Sequence, residues 1–314
     1  MCGIAGIIYR NGGGERQVGR DMTAMLQAMK HRGPDSTGYA LYRGAADGGA
    51  AESYVMHVKL SEAVDEDAEL AQRVQRQRDQ VEARMRSAGA RIEEVKGTHR
   101  TMTISFGFDG DLKLLADAVE RVRHTEVLSL GRSLEIVKDL GDAETVAREY
   151  GLADYVGTHA IGHARMATES DVDIANAHPY WAYPFPDVAV VHNGQLTNFH
   201  DWRRRLTRAG HRFQSDCDSE IIAVYLAQQM SEGRSLEQSM RQSLTDLDGV
   251  FTYICVTEDA LGVAKDALGA KPLVLYEDDE LVALASEEIA IRQVLDREIE
   301  TNDPYESEVR VWSR

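Results

Sequence analysis

The chain has 314 residues, of which 43% are hydrophobic and 28% charged, and its formal net charge is −17. This composition is typical of a soluble globular protein, and the excess of negative charge disfavours nucleic acid or an anionic membrane as a partner. The sequence contains no apolar run long enough to span a bilayer, and its start does not resemble a signal peptide. Because Cys2, Cys217 and Cys255 are too scattered for a disulfide framework or a zinc site, we expect a cytoplasmic protein.

Short apolar segments rich in β-branched and aromatic residues predict strands along most of the chain. These segments start at Cys2, Tyr39, Ser53, Thr101, Thr158, Val188, Val250, Leu273 and Leu281. Helical periodicity predicts helices at 20–30, 196–208, 218–231, 236–244 and 286–295. Near the end the strands follow one another in pairs, which indicates antiparallel hairpins rather than βαβ units. The predicted class is α+β, with two antiparallel sheets faced by helices.

The middle of the chain has a different pattern. Residues 61–89 predict a highly charged helix whose apolar stripe consists only of Leu70, Val74, Val81 and Met85. A strand, a helix at 111–123, another strand and a helix at 142–150 follow. We therefore predict one domain, residues 2–314, with an inserted α/β segment at 61–155.

Cys2 directly follows the initiator Met1. It is small enough for that methionine to be trimmed, which leaves a thiol and a free α-amine on one residue. The α-amine has a reference pKa of about 7.7–8.0, so it accepts a proton near neutral pH. Such a residue can be an N-terminal nucleophile that carries its own base. Taken alone, Cys2 is more typical of an ordinary small residue at the start of a buried strand.

Two polar segments adjoin predicted strands. Arg32, Gly33 and Asp35 belong to an Arg-Gly-Pro-Asp-Ser segment that follows a helix and predicts a mainly structural turn. At the end of a later strand, period-2 geometry puts His163 and Arg165 on one face. An arginine in that position suits bidentate recognition of a carboxylate, although the pattern alone favours a surface arginine with an exposed partner.

The segment Val-Val-His-Asn-Gly-Gln is a buried strand that ends at Asn193 and Gly194. An asparagine amide and a glycine N–H are a suitable pair of donors for an oxyanion, and glycine permits close approach of a substrate. The alternative is an Asn-Gly hairpin turn. The helical pattern that follows disfavours it.

The segment Ser-Asp-Cys-Asp-Ser-Glu at 215–220 precedes a predicted helix. Aspartate and serine there are good N-caps, and Glu220 lies in the first turn, where the helix dipole favours a negative charge. Capping accounts for one of the two aspartates, Asp216 and Asp218. The other is available to hold an ammonium group of a substrate.

Taken in order, these segments make the chain resemble the class II glutamine amidotransferases, which are N-terminal nucleophile hydrolases. The matching segments are Met-Cys-Gly-Ile-Ala-Gly, Arg-Gly-Pro-Asp-Ser, Gly-His-Ala-Arg-Met-Ala-Thr, Asn-Ala-His-Pro, His-Asn-Gly, Asp-Cys-Asp-Ser-Glu, Lys-Asp-Ala-Leu-Gly-Ala-Lys-Pro-Leu and Ala-Ser-Glu. They cover nearly all of the chain outside the insertion. The resemblance implies a four-layer αββα sandwich with Cys2 at the start of a strand between the two sheets.

The resemblance also implies roles for the reacting groups. Cys2 attacks the side-chain amide of glutamine, while Asn193 and the Gly194 N–H stabilise the oxyanion. Arg165 holds the α-carboxylate of glutamine, and Asp218 holds its α-amino group.

Other positions of the pattern concern the wall of the pocket. Thr168 and His178 match residues that line it in the family. The chain departs from the pattern at Met166, where tryptophan is common, and at Glu169. These departures affect the pocket wall and the loop that closes over it.

The sequence lacks the fingerprints of a second, ammonia-using domain, namely an ATP-binding Ser-Gly-Gly-x-Asp-Ser loop, a P-loop, a phosphoribosyl-pyrophosphate motif and a dinucleotide motif. The free-standing form with a mid-chain insertion resembles the amidotransferase subunit of split glutamate-synthase-like enzymes, in particular N-methylglutamate synthase. That resemblance implies L-glutamine as substrate and a hetero-oligomer with synthase subunits. Flavin and iron–sulfur clusters are then expected in the partner subunits, with no cofactor or metal in this chain.

Two alternatives remain open. The chain could be an amidase that cleaves a γ-glutamyl conjugate on its own, since Arg165 and Asp218 fit a glutamyl end equally well. It could also be a non-catalytic assembly subunit whose acidic insertion binds other chains. The complete set of expected site residues argues against the second alternative.

Overall fold

The protein is described by a computed structural model that covers residues 2–10, 16–44, 53–60, 68–97, 101–166 and 174–314. The α-helices in these ranges are α1 (Val18–Ala28), α2 (Ala68–Ser87), α3 (Leu112–Glu120), α4 (Ala143–Tyr150), α5 (Phe199–Arg208), α6 (Asp218–Ser231), α7 (Leu236–Asp246) and α8 (Glu288–Ile291). None of these helices is long and apolar enough to cross a membrane.

The strands in the same ranges are listed here in chain order. They are β1 (Gly3–Tyr9), β2 (Ser36–Tyr42), β3 (Ser53–Lys59), β4 (Arg91–Lys96), β5 (Thr101–Gly107), β6 (Glu126–Gly131), β7 (Leu134–Leu140), β8 (His159–Arg165), β9 (Tyr180–Trp181), β10 (Ala189–Leu196), β11 (Gly249–Val256), β12 (Ala260–Lys265), β13 (Val274–Glu277), β14 (Leu281–Ala285) and β15 (Val309–Ser313).

Three antiparallel sheets result. The first has the strand order β13-β14-β1-β8-β2-β7, the second has the order β15-β12-β11-β10-β9, and the third has the order β4-β5-β3-β6. In the first sheet Ile4 lies opposite His163, and in the second Asn193 lies opposite Thr252. The first register places the start of β1 beside the end of β8, and a hydrogen bond from Asn193 to the Cys2 carbonyl places β10 beside both.

The alternation of apolar residues along β1 explains how the layers form. Ile4 and Ile8 are buried between the first and second sheets, whereas Ala5 and Ile7 are buried against α1 on the outer face. The second sheet has the same arrangement, with Ile254 buried between the sheets and Tyr253 buried against α6. The fold is therefore the four-layer αββα sandwich that the sequence predicted.

The third sheet lies beside this sandwich and shares its core. Met102 on β5 and Val81 on α2 belong to the same apolar cluster as Ile4 and Ile8. The stripe on α2 is thin, as its sequence indicated, but Val81 and Met85 are fully buried. This continuity means that the added sheet is packed onto the sandwich rather than tethered to it.

The limits of the third sheet differ from those of the predicted insertion, 61–155. The sheet already includes β3, which precedes residue 61. Conversely, β7 pairs with β2 in the first sheet, and α4 packs on α1. Alternating apolar and polar residues predict a strand. They do not show which sheet the strand joins, because that depends on pairing with strands distant in sequence. The division into domain and insertion stays a prediction.

Two predicted helices are shorter in the structure. The helix expected at 196–208 begins at Phe199, because Leu196 still pairs with Gly249 in the second sheet. The helix expected at 286–295 is α8, which covers only Glu288–Ile291. In both cases the polar residues just before the helix are held by the sheet, and these residues adjoin the site described next.

Candidate active site

Cys2 lies immediately before β1 and is partly exposed. Ile4, two residues later, faces the second sheet, so the period of two carries Cys2 to the same inner face. The start of β1 is fixed by Ser286, whose Oγ accepts a hydrogen bond from the Ile4 N–H at 3.0 Å and whose own N–H donates to the Ile4 carbonyl at 2.9 Å. The candidate nucleophile is thus held at a defined position between the sheets.

Two side chains from different elements donate to the backbone carbonyl of Cys2. Arg32 Nε and Asn193 Nδ2 each lie 3.1 Å from this oxygen. The thiol lies beside the end of β8, where Sγ is 3.5 Å from the Met166 N–H donor. The carbonyl of Cys2 is therefore held by the loop before β2 and by β10, and its thiol lies close to a backbone amide.

Arg32 connects the predicted structural loop to Cys2. Its Nη1 pairs with Glu287 at 2.6 Å, and its side chain is only 9% exposed. The loop can approach β8 because residue 33 is glycine, since a Cβ there would lie 2.4 Å from the carbonyl carbon of Arg165. The Asp35 N–H donates to the Arg165 carbonyl at 3.1 Å. The loop thus fixes both Cys2 and the end of β8.

Asn193 and Gly194 are the fifth and sixth residues of β10. The Asn193 amide is buried, and besides Cys2 it contacts Ser286 Oγ at 3.4 Å. Gly194 has φ +139°, and a Cβ on it would lie 2.1 Å from the Val250 carbonyl oxygen. Only glycine fits this position, which explains why the strand contains a glycine there. The strand continues to Leu196, so the Asn-Gly hairpin alternative is wrong.

Three buried imidazoles form a row between the ends of β8 and β10. The rings of His163 and His178 are stacked with centroids 4.1 Å apart, and His192 lies 6.4 Å from His178. Burial lowers the pKa of His163 to about 3, and it lowers the pKa of His178 well below its usual range. The Arg165 charge acts on both groups in the same direction. We infer that these rings are neutral at physiological pH.

His192 connects this row to α6. Its Nδ1 lies 2.7 Å from Ser219 Oγ, and burial lowers its pKa despite the opposing charge of Asp218. Because the ring is neutral, its 4.0 Å approach to Asp218 is not an ion pair. The row therefore runs from the neighbourhood of Arg165 at one end to that of Asp218 at the other.

Asp218 is the first residue of α6, and the N-cap is Cys217, which makes no side-chain capping bond. The expectation that an aspartate caps this helix is therefore wrong. Asp218 Oδ2 instead accepts from the Leu196 N–H at 2.7 Å, which ties α6 to the chain just after Gly194. Glu220 turns back and accepts from the N–H groups of Gln214 and Ser215 at 2.7 and 2.8 Å. The acidic residues of this segment shape the loop instead of capping the helix.

The structure thus brings together Cys2, Asn193, Gly194, Arg165, Asp218 and His178, with Arg32, Gly33 and Asp35 in the supporting loop. Thr168 lies outside the described residues, as does most of the loop around it. Within the described ranges, no three His, Cys, Asp or Glu side chains are arranged so that they could hold a metal ion.

Sequence reasoning gave no separate role to two residues that the structure places at Cys2. Ser286 bonds to both Ile4 and Asn193, and Glu287 pairs with Arg32. Their signal was present in the sequence, because two polar residues directly follow the buried strand β14. A helix start was the simpler interpretation of those residues.

Comparison with known proteins identifies the family to which the chain belongs. A model described as a glutamine amidotransferase domain matches residues 163–293. The chain is 40% identical to a protein of Methanothermobacter thermautotrophicus predicted to be a glutamine amidotransferase, over 99% of each chain. It is 35% identical to the glutamine amidotransferase-like protein GlxB of Rhizobium meliloti, over 99% of this chain and 95% of that one.

The fold is also found among solved structures. The structure titled as the allosteric regulatory enzyme of purine biosynthesis superimposes on 99% of this chain with a TM-score of 0.62 at 18% identity. This chain spans 47% of the length of that structure. At this identity the similarity shows the fold alone.

Proposed function

Because the chain belongs to the class II glutamine amidotransferases, we propose that it is a glutaminase subunit that hydrolyses L-glutamine to glutamate and ammonia through a thioester on Cys2. The observation that carries the proposal is the restraint of Cys2 at the inner end of β1. Its carbonyl is held by Arg32 and Asn193, and its thiol lies beside a backbone amide. A merely structural cysteine has no need of this arrangement.

The first half-reaction requires removal of Met1, which exposes the α-amine of Cys2. This amine takes the thiol proton, and the thiolate then adds to the side-chain carbonyl carbon of glutamine. The carbonyl electron pair moves onto oxygen, where Asn193 Nδ2 and the Gly194 N–H stabilise it. We expect Asn193 to exchange its longer, 3.4 Å contact with Ser286 for this oxyanion and to keep its bond to Cys2.

Collapse of the tetrahedral species breaks the carbon–nitrogen bond. The α-ammonium of Cys2 returns its proton to the leaving nitrogen, which departs as ammonia and leaves a thioester. Water, deprotonated by the same amine, then adds to the thioester carbon. The thiolate then leaves and takes the proton back from the α-ammonium, which restores Cys2. The released carboxylic acid loses its proton to ammonia, so the products are glutamate and ammonium.

Arg165 and Asp218 are proposed to fix the amino-acid end of the substrate. The guanidinium of Arg165 suits the α-carboxylate. One oxygen of Asp218 holds the Leu196 N–H, and the other, Oδ1, is proposed to accept from the α-ammonium. The row of neutral imidazoles between them carries no charge that competes with either end, and His178, together with Thr168, is proposed to line the pocket.

The ammonia acceptor is proposed to lie on a separate synthase subunit of glutamate synthase or N-methylglutamate synthase type. The two relatives matched over their full length support this proposal, because the alignments leave at most 5% of either relative for a further domain. Flavin and iron–sulfur chemistry then belongs to the partner chains.

The test compares glutamate release by this chain alone, with its synthase partners, and with partners plus acceptor. We expect turnover to rise well above the isolated rate in the complete mixture. A glutaminase that feeds a distant acceptor site loses ammonia to solvent unless its pocket closes only after the partner has been loaded. Equal turnover in all three mixtures would contradict the proposed partnership and favour an amidase that acts alone. Absence of glutamine hydrolysis in every mixture would contradict the glutaminase itself.

A further inference from the structure

Helix α5 has a charge opposite to that of the whole protein. The chain carries 52 acidic and 35 basic residues. Yet the ten residues of α5 contain four arginines and a histidine against one aspartate. These are Arg203, Arg204, Arg205, Arg208, His200 and Asp201. A helix of this composition stands out as a local positive patch on a negatively charged molecule.

All the basic side chains of α5 except Arg205 share one face of the helix. We call it the α5 basic face and define it as His200, Arg203, Arg204, Thr207 and Arg208. They line a shallow recess of about 440 Å³. All five lie on a single helix at spacings of three, four, seven and eight residues, so the recess is a surface and not a cleft between elements. A small ligand would be held there from one side only, whereas a protein surface can cover the whole face.

Contacts within the chain neutralise this face only in part. Arg204 pairs with Asp201, yet its side chain is 68% exposed. Within the described ranges, the Arg208 side chain has neither an ion pair nor a hydrogen bond and is exposed. The helix dipole favours a cation in the last turn, which accounts for Arg208. It gives no reason for Arg203 and Arg204 in the middle of the helix.

Arg203 links the α5 basic face to the candidate active site. Its Nη1 donates to the Ser215 carbonyl at 2.7 Å, and the same guanidinium pairs with Asp216 at 3.3 Å. Ser215 is also held by Glu220 through its N–H and its hydroxyl. Asp218, which is proposed to bind the substrate ammonium, follows Ser215 by three residues. A contact made on α5 is therefore adjacent to the loop that positions Asp218.

From the charge contrast, the one-sided recess and this link, we propose that the α5 basic face docks an acidic surface of the partner chain. The proposal rests on the proposed function, since it names where the synthase subunit binds. An acidic protein surface fits because the rest of the molecule repels it, so the encounter is directed to this face. The loop at 213–218 then receives the contact through Arg203.

The first test uses a decaglutamate peptide as the acidic probe at low ionic strength. Wild type should bind it, and the double variant Arg204→Glu/Arg208→Glu should bind it at least about tenfold more weakly, because both charges are reversed. The matched control is Arg84→Glu/Arg86→Glu, which makes the same change on exposed positions of α2 and should leave binding as in wild type. Binding by wild type should weaken as salt is added.

Three results would overturn the proposal. They are no peptide binding by wild type, equal loss of binding in the α2 control, and tighter binding of inorganic tripolyphosphate than of peptide at this face. The last result would assign the face to a small polyanion. None of these measurements depends on glutamine hydrolysis, so they separate a failure of this proposal from a failure of the proposed function.

The second test uses the complex of full-length chains. Isolated Arg204→Glu/Arg208→Glu should hydrolyse glutamine at the wild-type basal rate, since neither residue contacts the candidate active site. Its stimulation by the synthase subunits should be lost at physiological salt and retained in the α2 control. If the synthase subunits fully stimulate glutamine hydrolysis by the α5 variant, the partner binds a different surface.

Discussion

The inner end of the sandwich and the third sheet are built from the same kinds of strand but under different constraints. At the inner end, polar groups lie beside one another, as where Arg32 and Asn193 donate to the carbonyl of Cys2. In the third sheet the buried positions are mostly apolar and continue the common core, as Met102 does. We therefore expect substitutions in the first region to change the catalytic rate and substitutions in the second to change stability.

The largest effect is expected at the nucleophile. Cys2→Ala should abolish glutamine hydrolysis while the protein folds and still binds glutamine, because the methyl group cannot form a thioester. Glutamate release and calorimetric glutamine binding measure the two properties. The control is Cys255→Ala, which removes a fully buried thiol elsewhere and should keep hydrolysis. Residual turnover in Cys2→Ala that matches the control would show that another group is the nucleophile.

The next effect concerns the oxyanion. Asn193→Ala should lower turnover about 10²–10³-fold, as expected for removal of one oxyanion donor. Because Asn193 also bonds to Cys2, a thermal unfolding curve must show that the fold is retained. Gln195→Ala, an exposed neighbour two residues along β10, serves as the control and should retain wild-type turnover. A rate near wild type in Asn193→Ala would show that other groups stabilise the oxyanion.

A smaller effect is expected on substrate affinity. Arg165→Lys should raise the KM for glutamine by roughly tenfold, with a lesser change in kcat, because an ammonium group cannot reproduce the two-pronged contact of a guanidinium with a carboxylate. Steady-state kinetics separate the two constants. Arg292→Lys on the exposed surface of the protein should change neither. An unaltered KM in Arg165→Lys would leave the carboxylate assignment without support.

The smallest effect on chemistry, and the one that defines the contrast, is expected in the third sheet. Met102→Ala should reduce the free energy of unfolding by about 2–5 kcal/mol, as for other fully buried large-to-small changes, and leave kcat per folded molecule unchanged. Denaturant unfolding measures the first quantity. Glu93→Ala, exposed on the adjacent strand, should change stability by less than about 0.5 kcal/mol. A fall in kcat for Met102→Ala at full folding would show that the third sheet supports the site.

The contrast also explains what the sequence could predict. The four-layer sandwich and the shared site of Cys2, Asn193 and Asp218 were implied by the resemblance of the motifs to a known family, because periodicity alone predicts only two antiparallel sheets faced by helices. The predicted insertion, 61–155, does not coincide with the third sheet, because β3 and β7 look alike in sequence and differ only in their long-range partners. The two polar residues after β14 are evident in the sequence, but the contacts of Ser286 and Glu287 could not be predicted, because they join residues from 93 to 282 positions apart.

The account depends above all on Cys2 being an N-terminal nucleophile. The most direct measurement is the intact mass of an active preparation before and after reaction with a glutamine-like electrophile, with the adduct mapped by peptide fragmentation. The account predicts a chain that has lost Met1 and one adduct, on Cys2, whose formation abolishes hydrolysis in proportion to labelling. An active chain that uniformly retains Met1, or an inactivating adduct on Cys217, would contradict it.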